Sequence, residues 1–314
     1  MDNKLIISSS PHLRSKEDTS TIMRDVVIAL IPATIAAVYY FGMGALGIII
    51  SALIGAVASE VMCQKLMGKE ITINDWSAIV TGLLVAFNIP ASAPLWLPFV
   101  GSVFAIVIVK QLFGGIGHNF MNPALAARAM LLASWPVEMT SWVTPGPDAV
   151  STATPLAIIK GAEAIDMAKP SFFDLLTGNI GGCIGETSAI LLILGGVYLL
   201  YRGVITYVIP AYYIGTVFVL TLIFGGFDVA NSMYHLFAGG LMIGAFFMAT
   251  DYSSSPMTKK GQIIYAIGCG ALTTIIRLWG GYPEGVSYSI LLMNVAAPLI
   301  DKYVSPKVFG EVAK

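Results

Sequence analysis

Apolar residues in this chain come in blocks too long and too closely spaced for a water-soluble fold. Ten such runs follow one another, over residues 26–41, 45–63, 76–89, 95–113, 124–135, 180–201, 204–224, 233–248, 263–279 and 286–300. A straight helix needs roughly 20 apolar residues to cross a bilayer's hydrocarbon core, and several of the runs reach that with their flanks. Only 11% of the residues are charged, against about 25% in an ordinary soluble domain. The expected fold is an all-α polytopic membrane protein of about ten transmembrane helices. The polar segment 1–25 stands before the membrane domain, 26–304, and 305–314 forms a tail. The first 25 residues lack the apolar core of a cleavable signal, so the first run should act as an uncleaved anchor.

Two runs, 76–89 and 124–135, are short. Short segments bounded by Gly and Pro are candidates for broken or re-entrant helices, which persist only where protein or a cavity satisfies the free backbone. Phe113-Gly-Gly115 and Trp279-Gly-Gly281 share an offset of 166, each after a long run and before a shorter one. Thr81-Gly82 and Gly239-Gly240 align at a slightly smaller offset. This is the order an inverted repeat would give, although Gly-rich matches also arise by chance in membrane chains.

Lys and Arg set the expected orientation. With the N-terminus inside and ten crossings, Lys4, Arg14, Lys16, Arg24, Lys65, Lys69, Lys110, Arg202, Lys259, Lys260, Lys302, Lys307 and Lys314 fall inside, 13 of the 17 basic residues. Both termini are then cytoplasmic, and the polar interval 136–175 lies at the outer face. The net charge of −1 gives no reason to expect nucleic acid as a partner. Cys63, Cys183 and Cys269 are isolated and read as buried thiols, and His12, His118 and His235 lack ligand spacing, so no metal site is expected.

The outer interval contains Asp148-Ala-Val-Ser-Thr-Ala-Thr154, bracketed by Pro147 and Pro155. Proline disfavours helix at the residue before it, so the stretch is expected to be an exposed, non-helical turn presenting Ser151, Thr152 and Thr154. Such residues are ordinary loop formers; they could equally accept a covalent group. Elsewhere, Arg128 lies inside the fifth run, where a cation is costly unless it faces a cavity, the protein interior or a partner; a partner for a phosphate or another bound anion is the favoured reading, with a snorkelling side chain as the structural alternative. Glu186 follows the Gly-rich stretch 181–185 and suits either a helix start or an anion site. Glu60 and Asp251 lie near inner segment ends, where carboxylates usually meet water, yet could touch a translocated cation.

The acceptor stretch resembles the flavinylation motif of the RnfD/NqrB family, the membrane subunits of Rnf complexes and of Na+-pumping NADH:quinone oxidoreductases. Thr152 stands where that motif most often has Gly. The resemblance continues through Asn122-Pro-Ala with Arg128, Gly185-Glu-Thr-Ser188, Met248-Ala-Thr-Asp251, Arg277, and Gly280-Gly-Tyr-Pro-Glu-Gly285. Tyr252 departs from the Pro expected there. The brief N-terminal region is nearer the Rnf branch than the quinone-reductase branch.

The resemblance implies a urea-transporter-like fold with inverted repeats, and FMN joined to Thr154 by a phosphodiester, with Asp148, Ser151, Thr152 and Ala153 completing the motif. It also implies a noncovalent riboflavin. Asn122, Arg128, Glu186 and Thr187 are the candidate flavin pocket, with Arg128 as partner to its phosphate or to the reduced flavin anion; Asp251, Glu60 and Arg277 mark a candidate ion or second-flavin region. The implied role is to relay electrons between reduced ferredoxin and NAD+, coupled to Na+ or H+ translocation, in a bacterial cell membrane. The implied partners are the A, B, C, E and G subunits of Rnf, with a flavin transferase for maturation. A cofactor-free channel or transporter on the same core would have no use for the acceptor motif.

Overall fold

The computed structural model describes residues 18–146, 150–161, 169–186, 188–282 and 284–304. Helix α1, Thr19–Leu66, joins the first two apolar runs. It is broken at Gly42 (φ 62°, ψ −146°), which leaves two pieces, each about 35 Å long at 1.5 Å per residue. The first piece starts seven residues before the expected boundary, at an N-cap in which Asp18 accepts from the Thr19 N–H at 2.7 Å. Asp25, assigned to the polar N-terminal segment, is therefore a buried helical residue. Arg202 (3.0 Å) and Tyr198 (3.1 Å) hold its carboxylate, and this pairing lets a charged turn enter the helix.

Helix α2, Ser77–Phe87, stops ahead of Asn88-Ile-Pro90, where proline cannot continue the ladder. Helix α3, Trp96–Phe104, passes into a π-helical stretch, Ala105–Gln111. Helix α4, Pro123–Ser134, opens on Asn122, whose side chain accepts from the N–H groups of Ala124 and Leu125, with Pro123 at the first position; both are favoured helix starts. Three short helices follow in the polar interval: α5, Pro136–Met139, α6, Pro155–Lys160, and α7, Phe172–Thr177.

The run 180–201 is helical only from Ala189: helix α8 is Ala189–Tyr201, and a buried 3-10 turn, Ile184–Glu186, precedes it. Helix α9 spans Val208–Phe224. The eighth run is broken into α10, Val229–Phe237, and α11, Leu241–Ile243, which continues as a π turn, Gly244–Met248. Helices α12, Lys259–Trp279, and α13, Val286–Tyr303, complete the described chain.

The order supports the internal repeat. Each half supplies five segments; the third is a single short helix, α2, in the first half and is divided into α10 and α11 in the second. An odd number of alternating segments per half sets the two halves in opposite senses. The surface is the reverse of a soluble protein's. Ile31 and Ile35, Ile50 and Ile54, and Leu292 and Leu299 point outward, while Glu60, Lys110, Arg277 and Asn294 are buried. An apolar exterior over a polar interior suits lipid as the surrounding medium.

Candidate functional site

The acceptor stretch is less open than proline bracketing suggests. Residues 142–144 and 150–152 lie against each other: Thr144 N–H donates to Val150 C=O at 2.9 Å and Thr152 N–H to Trp142 C=O at 3.0 Å. Ser151 is exposed, Thr152 and Ala153 are half-buried, and Thr154 is only 2% exposed. The expectation of an exposed hydroxyl at Thr154 is thus corrected. Thr154 is the N-cap of α6, its Oγ1 accepting from Ala157 N–H at 3.2 Å, and Pro155 occupies the first helical position. Proline bars helix before itself but begins one readily. Asp148 and Thr187 lie outside the described residues.

Thr154 lines a cavity of about 60 Å3 together with Arg128, Trp142, Tyr282, Glu284 and Tyr288. The Gly-rich turn lies directly behind it: a Cβ on Gly181 would meet the Thr152 methyl at 2.2 Å, so only glycine lets the two strands approach. Glu186 is not in the first turn of α8, since Ser188 is its N-cap. It is buried and turned toward Arg128, with Oε1 3.8 Å from Nη1. Arg128 does not snorkel: Nη1 donates to Asn88 Oδ1 at 3.0 Å and Nη2 pairs with Glu284.

Three interruptions of helix meet here. Cys183 pairs with Pro90 beyond the end of α2 and donates through Sγ to Asn88 C=O at 3.4 Å. Arg277 donates to the carbonyls of His235 and Ala238. It thereby satisfies the C-terminal acceptors that α10 leaves open. The chain then turns at Gly239 (φ +72°), where a Cβ would stand 2.7 Å from Leu156 and 2.8 Å from Glu284 Oε1. Lys160, at the end of α6, donates to the carbonyls of Ile276 (3.2 Å), Gly280 and Tyr282 (3.0 Å), fastening the acceptor loop to the end of α12. Partial burial lowers the Lys160 pKa. In α7, the Ser171 hydroxyl donates to Asp174 at 2.6 Å and holds that carboxyl below its usual range.

The other sequence candidates lie apart from this site or divide between places. Asn122 and Asp251 line a second cavity, about 360 Å3, at the opposite end of α4, with Ser77, Lys110 and Asn119 on its wall. Asp251 accepts from Asn119 at 2.9 Å and from Ser254 at 2.9 Å. Glu60 does not sit in water: it is 1% exposed, and it binds Lys110 at 2.8 Å and Gln111 at 2.8 Å. Arg277 belongs with Glu186 and Glu284 rather than with Glu60 and Asp251. Sequence reasoning does not single out Asn88, Trp142, Glu284 or Tyr288 as site residues. The 280–285 motif and Pro90 are the signals that could have found two of them: an acid in a Gly/Pro turn, and an amide two residues before a helix-ending proline.

Comparison with known proteins follows the same lines. The model of the family described as "NQR2, RnfD, RnfE family" matches residues 6–310. The chain is similar to the D subunit of the Na+-translocating ferredoxin:NAD+ oxidoreductase complex of Acetobacterium woodii, 57% identical over 98% of this chain and 95% of that one. It is 49% identical to the D subunit of the proton-translocating ferredoxin:NAD+ oxidoreductase complex of Clostridium ljungdahlii, over 98% of this chain and 97% of the relative. With the D subunit of an ion-translocating oxidoreductase complex of Halorhodospira halophila the identity is 37%, over 96% and 94% respectively. Matched along almost its whole length by the family model and by relatives of 37–57% identity, the chain belongs to the NQR2, RnfD, RnfE family.

Proposed function

We propose that this chain is the flavin-carrying membrane subunit of an Rnf complex, relaying electrons between reduced ferredoxin and NAD+ with coupled Na+ or H+ translocation. The names of the two relatives at 57% and 49% identity favour ferredoxin:NAD+ over NADH:quinone chemistry. The observation that carries the cofactor reading is the Thr154 hydroxyl lining one cavity with the Arg128 guanidinium. Thr154 would hold FMN through a phosphodiester, and Arg128 would answer its negative charge.

The residues present fit that group in part. A cavity of about 60 Å3 suits a group of phosphate size but not three fused rings. The isoalloxazine would therefore lie toward the rim, where Trp142, Tyr282 and Tyr288 offer aromatic faces. When bound, FMN supplies the one- and two-electron chemistry. The protein's part is to anchor the phosphate end, set the local charge and limit access of water. Thr154 is an anchor and takes no acid, base or nucleophile role in turnover. The larger cavity, about 360 Å3 with apolar walls and the polar groups Lys110, Asn119, Asn122 and Asp251, is our proposal for the noncovalent riboflavin.

Partners would be the A, B, C, E and G subunits and the attaching transferase, with the acceptor loop at the outer face of a bacterial cell membrane. The test is ultraviolet fluorescence of the denatured polypeptide, co-produced with that transferase. The unaltered chain should give a fluorescent band and Thr154→Ala none. A fluorescent Thr154→Ala band would move the acceptor elsewhere, with Thr152→Ala the next variant to examine.

A further inference from the structure

Arg128 is a single guanidinium serving two buried carboxyls. Glu284 takes the Nη2 hydrogen bond, while Nη1 donates to Asn88 and stands 3.8 Å from Glu186, too far for a hydrogen bond. The second arginine does not make up the difference, because Arg277 donates to the backbone of His235 and Ala238. Oε1 of Glu186 and Oε1 of Glu284 are buried and accept from no donor. Both carboxyls therefore face the same guanidinium, Glu284 in a hydrogen bond and Glu186 at 3.8 Å. Two ionised carboxylates crowded onto one cation, out of water, repel strongly, and one of a pair of this kind keeps its proton. A protonated carboxyl is also a donor, so one bound proton would turn an orphaned acceptor oxygen into a donor.

We propose that Glu186 and Glu284 form a proton-binding site that holds one proton between them at neutral pH, with Arg128 as its counter-charge. The groups facing the pair are Arg128 from α4, Arg277 from α12, and Cys183 from the turn before Glu186. Gly239 and Gly240 leave room for both carboxyls at the break after α10: side chains there would come within 2.8 Å of Glu284 and 3.7 Å of Glu186. Two arginines, two glutamates and one proton leave the cluster with one net positive charge. That charge complements a phosphodiester on Thr154, a clause that rests on the flavin reading; the shared proton does not.

The site can be read without any cofactor. Infrared spectra of the Thr154→Ala chain in detergent, in H2O and D2O at neutral pH, should show a protonated-carboxyl band that shifts on deuteration. Glu186→Gln and Glu284→Gln should each remove one carboxyl's worth of that band, because the remaining glutamate then ionises against Arg128. Asp251→Asn is the control for the carboxyl on the wall of the larger cavity, and the Glu-dependent band should persist in it. Absence of the band in the parent, or its persistence in either Gln variant, overturns the proposal. If Glu284→Gln does not fold, Glu186→Gln decides alone, since it keeps both the shape and the net charge of the protonated state. Failure of the flavin reading would alter gel fluorescence and leave these bands as they are.

Discussion

At the scale of single residues, Thr152 and Thr154 show how two hydroxyls in one motif differ. The Thr152 methyl is pressed against Gly181, whereas Thr154 faces the cavity. If Thr154 carries FMN as proposed, Thr152→Ala should leave that attachment intact, as read by mass spectrometry of the peptide spanning residue 154. Arg128 is legible in the sequence as an intramembrane charge, but its partners are not. Glu284 is 156 residues away and Asn88 is 40, and nothing in one sequence links positions so distant. Breaking a buried pair by removing one member typically costs about 3–5 kcal/mol. Arg128→Met should destabilise the fold by that order, measured as denaturant unfolding in micelles. Arg128→Lys should lie between, because one ammonium cannot reproduce the planar fork that meets Asn88 and Glu284 together.

At the scale of elements, apolar runs locate the helices far better than their interruptions. Runs 124–135 and 286–300 match α4 and α13 within a few residues. In the run 233–248 the only sign that it divides after Phe237 is the Gly239-Gly240 pair, and Gly is too common in membrane helices for that pair to mark a break by itself. What fixes that break is tertiary: Arg277 takes the freed carbonyls, and Gly239 takes a positive φ. Gly239→Ala should accordingly cost more than the ~1 kcal/mol of a left-handed alanine, since its Cβ would also strike Leu156 and Glu284. It should lower the thermal midpoint and loosen amide protection in α10. In the outer loop, the Asp174 cap works through an ionised carboxylate. A depressed folded pKa contributes stability above the ordinary value of 3.8 that is lost as pH falls through the lower folded value. Amide protection factors in α7, corrected for the intrinsic pH dependence of exchange, should be flat above about pH 5 and fall only in stronger acid.

At the scale of the whole molecule, lipid exposure is the most legible property, because it needs only the supply of charge and the length of apolar runs. The polar interior is less so. Lys110 reads from the sequence as a charge marking the inner side, yet it is 3% exposed and bound to Glu60 and Ser77. Such a pairing is set by the π-helical turn of α3 and leaves no periodic trace. Glu60→Gln should strand that ammonium and cost about 3–5 kcal/mol in the same unfolding assay. The two cavities lie at opposite ends of α4, and the orientation expected from the basic residues can be tested directly. Cysteines placed at Ser151 and Lys69, both exposed, in a cysteine-free chain should react with an impermeant maleimide from opposite sides of sealed vesicles.

The near-complete enclosure of Thr154 has a consequence for biosynthesis. On the proposed flavin reading, a transferase joining FMN to that oxygen must reach it while its other product departs, and a threonine 2% exposed in the folded chain leaves little room for either. Attachment on that reading would precede the seating of α6 against the end of α12, with the three Lys160 hydrogen bonds as the latch that closes afterwards.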